Sequence, residues 1–571
     1  MPFSLVLDAL GLIGDGLSLY RKRQQAHASK IDRLLDEARA ASGKEADTLL
    51  ARVCEESARR VEKKPRDAHA LRQWGVALWW RAAKTSGSAA DQIYEQADQK
   101  FAQAQAIAGN DAACCADRVE ALRYRAALHP GNKGRRLLMQ LCDLCQKRLG
   151  IMWSGPDDAR MLHTWGMALW WLAAREAGEE AKRLYKQADE KFSKAIALEP
   201  KEAEFAVDQA DALVYAAALH GGDEQREMLQ RVCQWCQQLA SIGAGGARML
   251  TIWGSALCWL GTISKGEEAE RYYAEAEKKT ARALRIAPDT ERAVAGKIRS
   301  LTYRALLERG EARRNLLAQA CEECVRFDEA HPRNADLLRL WGTVLIWRAV
   351  AADSAEAARL LADAAGKSSV GLSLRPADEC LSTNFATALC YRAKVFGGEP
   401  ARQWLPQAGE LLEAVLNHNP ANYEALTQWA SVAHLRAKIM PGDETTGMAS
   451  DLVRRFEAAA QNGANPDAIL RGWGMALWTL ARCVAGEESA RLLKEAKAKL
   501  LEAETRMPTV AAFHLACFCA QTGELEECRR WLRVSGEPGV ALSRDWVETE
   551  EEFAGVRDTE WFREMLAGQA G

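Results

Sequence analysis

Cysteine is the residue type whose spacing in this chain first invites a chemical reading. Cys-X-X-Cys occurs three times, at Cys142 and Cys145, Cys233 and Cys236, and Cys321 and Cys324. That is the spacing of a dithiol redox pair or of half a zinc site. All three occupy the same place in alternate copies of a repeat, and Cys54 with Ser57 is a fourth copy. A zinc ion needs about four ligands within bonding distance. Pairs two repeats apart stand roughly 20 Å or more from one another when helices pack 8–10 Å apart. The pairs are therefore expected to be small, soft residues on a buried helix face, as are Cys517 and Cys519 around Phe518. The nine histidines are scattered, with no HExxH pattern and no recognisable nucleophile segment, and no glycine-rich phosphate loop is present. Catalytic residues: none; metal: none; cofactors: none. The chain is expected not to be an enzyme and to have no small-molecule substrate.

The elements that would position any functional residue are set by a repeat. LRQWGVALWW, residues 71 to 80, carries a Trp-Gly pair at Trp74 and Gly75 that returns at Trp165, Trp253, Trp341 and Trp473, each followed by Gly, and as Trp429-Ala430. Successive copies lie 91, 88, 88, 88 and 44 residues apart. A weaker class lies midway, so the period is 44 residues with two alternating flavours. Six residues past each Trp position stand Trp80, Tyr124, Trp171, Tyr215, Trp259, Tyr303, Trp347 and Tyr391. A fixed period in this range marks a solenoid, whose units bury a face only by stacking on the next.

Each unit reads as two helices. Leu71, Trp74, Ala77, Leu78 and Ala82 form an apolar stripe on the first. The second often begins with acids after Gly, at Gly178, Gly266 and Gly486, where carboxylates complement the helix dipole. Pro200, Pro288, Pro376 and Pro508 close the second helices. Gly inside the first helix costs about 1 kcal/mol relative to Ala, so its recurrence implies close approach of a neighbour.

These residues resemble the tetratricopeptide repeat (TPR) family. Leu71, Trp74-Gly75 and Leu78 fit that family's first helix; Ala188, Phe192, Ala195 and Pro200 fit its second. The units here run 44 residues against about 34 in the family, which implies longer helices or a longer turn. The last unit, residues 511 to 532, lacks the extra length. The resemblance covers roughly residues 46 to 535 and implies an all-α fold, an α-solenoid of stacked antiparallel helix pairs in a TPR-like superhelix. The expected organisation is N-terminal amphipathic and capping helices over 1–45, about eleven helix pairs over 46–535, and a C-terminal capping segment over 536–571.

The resemblance also implies a concave groove lined by first-helix positions two before, two after and five after the Trp. Those positions give Arg72, Val76 and Trp79; His163, Met167 and Trp170; Arg339, Thr343 and Ile346; and Arg471, Met475 and Trp478. They vary between units while the packing positions hold. Arg, Met and Trp are the types that anchor protein interfaces. The first expectation is a non-enzymatic scaffold or adaptor holding a peptide or partner domain in the groove, a regulatory subunit being one use of such a surface. RNA binding is the alternative, carried by Arg72, Arg123, Arg125 and Arg348 near aromatic residues. The 76 basic and 78 acidic residues supply no global field for nucleic acid or membrane, so nucleic acid is the less expected partner.

Sixteen cysteines without a secretory signal suit a cytoplasmic protein with reduced thiols. Near the N-terminus Phe3, Val6, Leu7, Leu10, Ile13 and Leu17 fall at helical spacing, interrupted by Asp8 and Asp15. Each carboxylate costs roughly 2.5–3.5 kcal/mol at a bilayer centre, so this is expected to be an amphipathic cap. Docking on a partner or on a membrane surface is the second reading.

Overall fold

The computed structural model describes residues 30–568 except 110, 148–154, 177, 245, 463 and 536–543. The expected N-terminal amphipathic helix lies outside these residues. The chain divides into two compact units, Met1–Gly245 and Gly246–Gly571. Both are all-α: among the described residues there is no strand, and antiparallel helix pairs follow one another throughout. None of the described helices is long and apolar enough to cross a membrane.

The first unit holds α1 (Lys30–Ala40), α2 (Gly43–Lys63), α3 (Ala68–Ala83), α4 (Gly87–Ala108) and α5 (Ala112–Ala127). It continues with α6 (Asn132–Gln146), α7 (Pro156–Ala173), α8 (Gly178–Leu198), α9 (Ala203–Ala217) and α10 (Gly222–Ser241). The second unit begins with α11 (Ala247–Ile263), α12 (Gly266–Ile286), α13 (Glu291–Leu307), α14 (Gly310–Ala330), α15 (Ala335–Val350) and α16 (Ser354–Leu374). It goes on through α17 (Glu379–Phe396), α18 (Gly398–His418), α19 (Tyr423–Ile439), α20 (Asp443–Gln461), α21 (Pro466–Cys483) and α22 (Gly486–Arg506). A short pair, α23 (Ala512–Thr522) and α24 (Leu525–Ser535), is followed by α25 (Arg544–Thr549), a 3₁₀ turn (Glu551–Phe553) and α26 (Glu560–Gly568). The added length of the unit is helical: α7 and α8 have 18 and 21 residues, whereas α23 and α24 have 11 each.

The sequence sets these boundaries locally. Gly178, Gly266 and Gly486 open second helices at φ of 59°, 54° and 69°, a left-handed backbone that Gly adopts without steric cost. The following Glu pairs lie in the first turn, at the positive end of the helix dipole. Each prolines stands two residues beyond a helix end, at Leu198, Ile286, Leu374 and Arg506.

A register of 26 residues locks each pair. A Cβ on Gly75 would stand 2.8 Å from the Phe101 ring, one on Gly166 2.9 Å from Phe192, one on Gly254 2.6 Å from the Thr280 methyl and one on Gly474 2.8 Å from Leu500. The neighbouring Trp of each pair meets a second-helix ammonium at the same offset. Lys100 Nζ is 3.9 Å from the Trp74 centroid, Lys191 4.1 Å from Trp165, Lys279 3.7 Å from Trp253 and Lys499 4.0 Å from Trp473. Arg455 covers Trp429 at 5.3 Å in the same register. The bare Gly lets the second helix approach, and the Trp face beside it receives the cation.

Candidate nucleic-acid interface

Successive first helices pack on one another as well as on their own partners, and their exposed faces form the inner surface of each unit. The sequence assigned the position five past the Trp to that surface and the position six past to packing. The side chains are arranged otherwise. Trp79, Trp170 and Trp478 are buried, as are Val76, Met167, Ile346 and Met475. The Trp79 ring lies 5.9 Å from Tyr124, Trp170 5.8 Å from Tyr215 and Trp478 5.4 Å from Phe518, each a residue of the next first helix. The exposed aromatic row is the one six past: Tyr124, Tyr215, Trp259 and Tyr303. At 100° per residue, one position moves a ring from the seam between helices to the open face.

The polar candidates separate by unit. In the first unit Arg72 is consumed by Asp117 at 2.8 Å. Arg160 reaches Asp117 at 3.1 Å and Glu120 at 2.9 Å. His163 bonds Asp208 at 2.6 Å and stacks on Phe205 at 4.4 Å. The inner helices here supply acids of their own.

The second unit is different. A cavity of about 350 Å³ opens between α11, α13, α15 and α17. Trp259 and Tyr303, 39% and 36% exposed, stand on its rim. Arg299 and Arg339 line it; Arg299 makes no ion pair among the described residues, and Arg339 has Asp336 only at 3.9 Å. Asn384 fixes one wall, its Nδ2 donating to the Arg339 carbonyl and to Thr343 Oγ1, both at 3.0 Å. Stacking rings beside two guanidinium groups suit a base and a phosphate. Sequence reasoning named Arg339 but passed over Arg299, two residues past the Trp position in a weak unit.

Further along the same face, positions nine past the Trp place Lys394, Lys438 and Arg482 in a column on α17, α19 and α21. The C-terminal segment occupies it. Glu550 bonds Lys394, and its other oxygen is 2.9 Å from Lys438. Glu552 receives Lys438 at 2.6 Å and lies 3.6 Å from Arg482 and 3.5 Å from His434. Trp546, 4% exposed, meets the Tyr391 ring edge-on at 5.3 Å. Burial alone would push the Glu552 carboxyl up, but His434 and Lys438 hold it well below the usual carboxylate range. Beyond this insertion Phe553, Val556, Phe562 and Leu566 pack over Phe513 and the end of the repeats. The expectation for residues 536–571 is a cap on the last repeat, and nothing in the repeat pattern marks the segment as one that enters the groove.

The Cys-X-X-Cys pairs face the helix-pair interiors: Cys145, Cys236, Cys321 and Cys324 are buried, and none of the four is in a disulfide. Burial pushes the Cys142 thiol up to about 12. Among the described residues no group of three or more His, Cys, Asp or Glu side chains could hold a metal ion.

No family model matches the chain, and neither does any curated protein sequence. Among solved structures, a monomeric mutant of IFIT1 with m7Gppp-AAAA is similar at a TM-score of 0.40 and 12% identity, over 82% of this chain and 90% of that one. A monomeric IFIT1 mutant with Gppp-AAAA matches at 0.39 and 11%, and the human IFIT1 dimer with m7Gppp-AAAA at 0.39 and 12%, over the same shares. Similarity at this level concerns the course of an all-α solenoid of helix pairs, the architecture described above.

Two expectations are corrected here. A scaffold or adaptor holding a protein was put first, and nucleic acid was held unlikely; the matched structures contain m7Gppp-AAAA and Gppp-AAAA. The net charge behind that expectation misleads for a physical reason. Acids such as Asp117, Glu120 and Asp208 gather on inner helices of the first unit, while Arg299, Arg339, Lys394, Lys438 and Arg471 lie on those of the second. A net charge summed over the whole chain does not report such local placement.

Proposed function

We propose that this chain is a non-enzymatic, TPR-like helical-repeat protein that binds single-stranded RNA on the inner face of its second unit. The observation that carries the reading is the pairing of Trp259 and Tyr303 beside Arg299 and Arg339 around one cavity. The two rings occupy the same repeat position on neighbouring inner helices, which pack about 8–10 Å apart. Helical-repeat proteins that read RNA present one base-contacting set per repeat in this manner. The guanidinium groups supply the phosphate attraction, and the rings supply sequence-tolerant stacking worth about 1–3 kcal/mol per base. Among the first unit's groove candidates Arg72 is held by Asp117 and His163 by Asp208, so the bound strand is assigned to the second unit. Of the sequence candidates Arg339 belongs to this site. The lengthened units, the flanking segments 1–45 and 536–571 and a cytoplasmic setting complete the proposal.

The test is fluorescence anisotropy with a labelled short single-stranded RNA. Wild type binds at low salt and weakens steeply as salt rises; Arg299→Glu with Arg339→Glu weakens binding by tenfold or more, about 1.4 kcal/mol. Absence of binding at low salt removes the reading.

A further inference from the structure

The cavity beside Trp259 and Tyr303 has walls of one hydrogen-bonding sense. Ser255, Thr262, Thr302 and Thr383 line it, and each hydroxyl donates back to a carbonyl of its own helix: Thr251 at 2.9 Å, Trp259 at 2.7 Å, Ile298 at 2.7 Å and Glu379 at 2.8 Å. A hydroxyl has one proton and two lone pairs, so these four have only acceptor capacity left for a ligand. Asn422 is taken up at both ends, its Nδ2 donating to Glu379 at 2.8 Å and its Oδ1 accepting from the Ala425 amide at 3.0 Å.

Two further acceptors are unspent. Asn384 Nδ2 bonds the Arg339 carbonyl, which can only accept, so the amide cannot be turned round. Its Oδ1 is left over and receives no donor among the described residues. Glu424, also in the lining, makes no hydrogen bond or ion pair among the described residues. Its place in the first turn of α19 suits the helix dipole, yet a carboxylate beside a phosphate-binding surface lowers the attraction for a polyanion. Its charge reaches the stacking ring: burial pushes the Tyr303 hydroxyl up, Arg299 and Arg339 oppose that rise, and Glu424 adds to it. Beside the two guanidinium groups, these hydroxyls, Asn384 and Glu424 offer a ligand acceptors only.

We infer that this cavity selects a base bearing an exocyclic amino group over uracil, with Asn384 Oδ1 and the Glu424 carboxylate accepting from that amine. The inference rests on the RNA reading given above and specifies which bases the site holds. Cytosine against uracil shows it most simply. The N4 amine of cytosine is a donor where uracil has the O4 carbonyl, an acceptor that these walls leave unpaired and the carboxylate repels. The two rings are of equal size, so stacking on Trp259 or Tyr303 differs little between them.

The experiment titrates the full chain against labelled oligo(C) and oligo(U) of equal length, by anisotropy at low salt and neutral pH. Wild type binds oligo(C) more tightly by roughly fivefold or more. Glu424→Gln narrows this ratio chiefly by strengthening oligo(U), since the carboxamide is uncharged and offers a donor to O4. Asn384→Ala narrows it by weakening oligo(C). The ratio is the readout, because a substitution that merely loosens the wall weakens both strands alike. Salt-dependent binding of both strands with equal affinity, or tighter binding of oligo(U), overturns the base preference and leaves RNA binding standing. No binding of either strand at low salt removes RNA binding and the preference with it. A wild-type ratio that survives unchanged in both Glu424→Gln and Asn384→Ala overturns the assignment to these residues.

Discussion

Lys367 Nζ stands 3.4 Å from the centroid of the Trp341 ring. The same relation joins the Trp of every Trp-Gly pair to the residue 26 positions later, and this register aligns the two helices of a unit. Trp165, 6% exposed under Lys191, is the most covered of these rings. Burial pushes the Lys191 ammonium down, as a cation against an aromatic face without a carboxylate partner requires. Trp165→Ala is expected to cost about 3–5 kcal/mol, and Lys191→Ala about 0.5–2 kcal/mol, in urea unfolding of the full chain. If Lys191→Ala leaves the unfolding midpoint unmoved, the cation contributes nothing to the pair.

The glycines of the five pairs divide by what faces them. An Ala at Gly75 drives its Cβ into the Phe101 ring, whereas at Gly342 the nearest atom is Ser368 Oγ at 3.0 Å. Gly75→Ala is expected to destabilise by about 1–3 kcal/mol through overpacking, with recovery on adding Phe101→Leu. Gly342→Ala is expected to be close to neutral, because helix propensity returns about 1 kcal/mol. Denaturation midpoints of the three variants decide it; equal losses at both glycines would mean the facing side chain is irrelevant.

Lys438 and Glu552 form a buried ion pair, with side chains 8% and 3% exposed. Lys438→Met leaves Glu552 without its main partner and is expected to cost about 3–5 kcal/mol. Lys438→Met with Glu552→Gln removes both charges and is expected to restore much of that loss. Indole fluorescence reads the outcome, since Trp546 lies beside Lys394, which shares Glu550 with Lys438. Additive losses in the double variant would show that the two residues are not coupled.

Acid acts on the same region. Burial, then the charges of Arg471, His434, Lys394 and Lys438, lowers His514 well below its ordinary value of 6.5. Burial also lowers His434, against the opposing pull of Glu552 and with Lys438 and Arg482 adding to it. A group whose folded pKa is depressed binds more protons when unfolded, so its contribution is full above the unfolded value and falls away as pH drops. The second unit is therefore expected to lose stability from about pH 6.5 downward, and Glu552 adds a further loss below about pH 4.3. His514→Gln flattens the upper part of this slope in midpoints measured between pH 8 and 5. A rise in stability on acidification through that range would contradict the assignment.

Period and pairing were legible because they depend on spacing alone: Trp-Gly, Gly-Glu-Glu and the closing prolines mark the strong units, and the 44-residue period carries the helices through the weak ones. Rotation about the helix axis was not legible. The choice between Trp79 and the position after it depends on how closely successive first helices approach, which a period cannot give. Ion pairing across units was equally hidden, since Arg72 and Arg471 occupy the same repeat position while only Arg72 meets a carboxylate. The entry of Trp546, Glu550 and Glu552 into the groove left no trace in the repeat, because these residues lie beyond it. Arg339 was found because its position is a periodic one; Arg299 shares a periodic position in a unit whose Trp is replaced by Lys297.

The most direct test of the account is the affinity of a short single-stranded RNA for wild type and for Trp259→Ala, measured by anisotropy at two salt concentrations. Trp259 is 39% exposed, so its removal leaves the fold intact, which circular dichroism checks. The account predicts salt-dependent wild-type binding and a loss of about 1–3 kcal/mol in the variant. Equal affinity of the two proteins, or no wild-type binding at low salt, would contradict it.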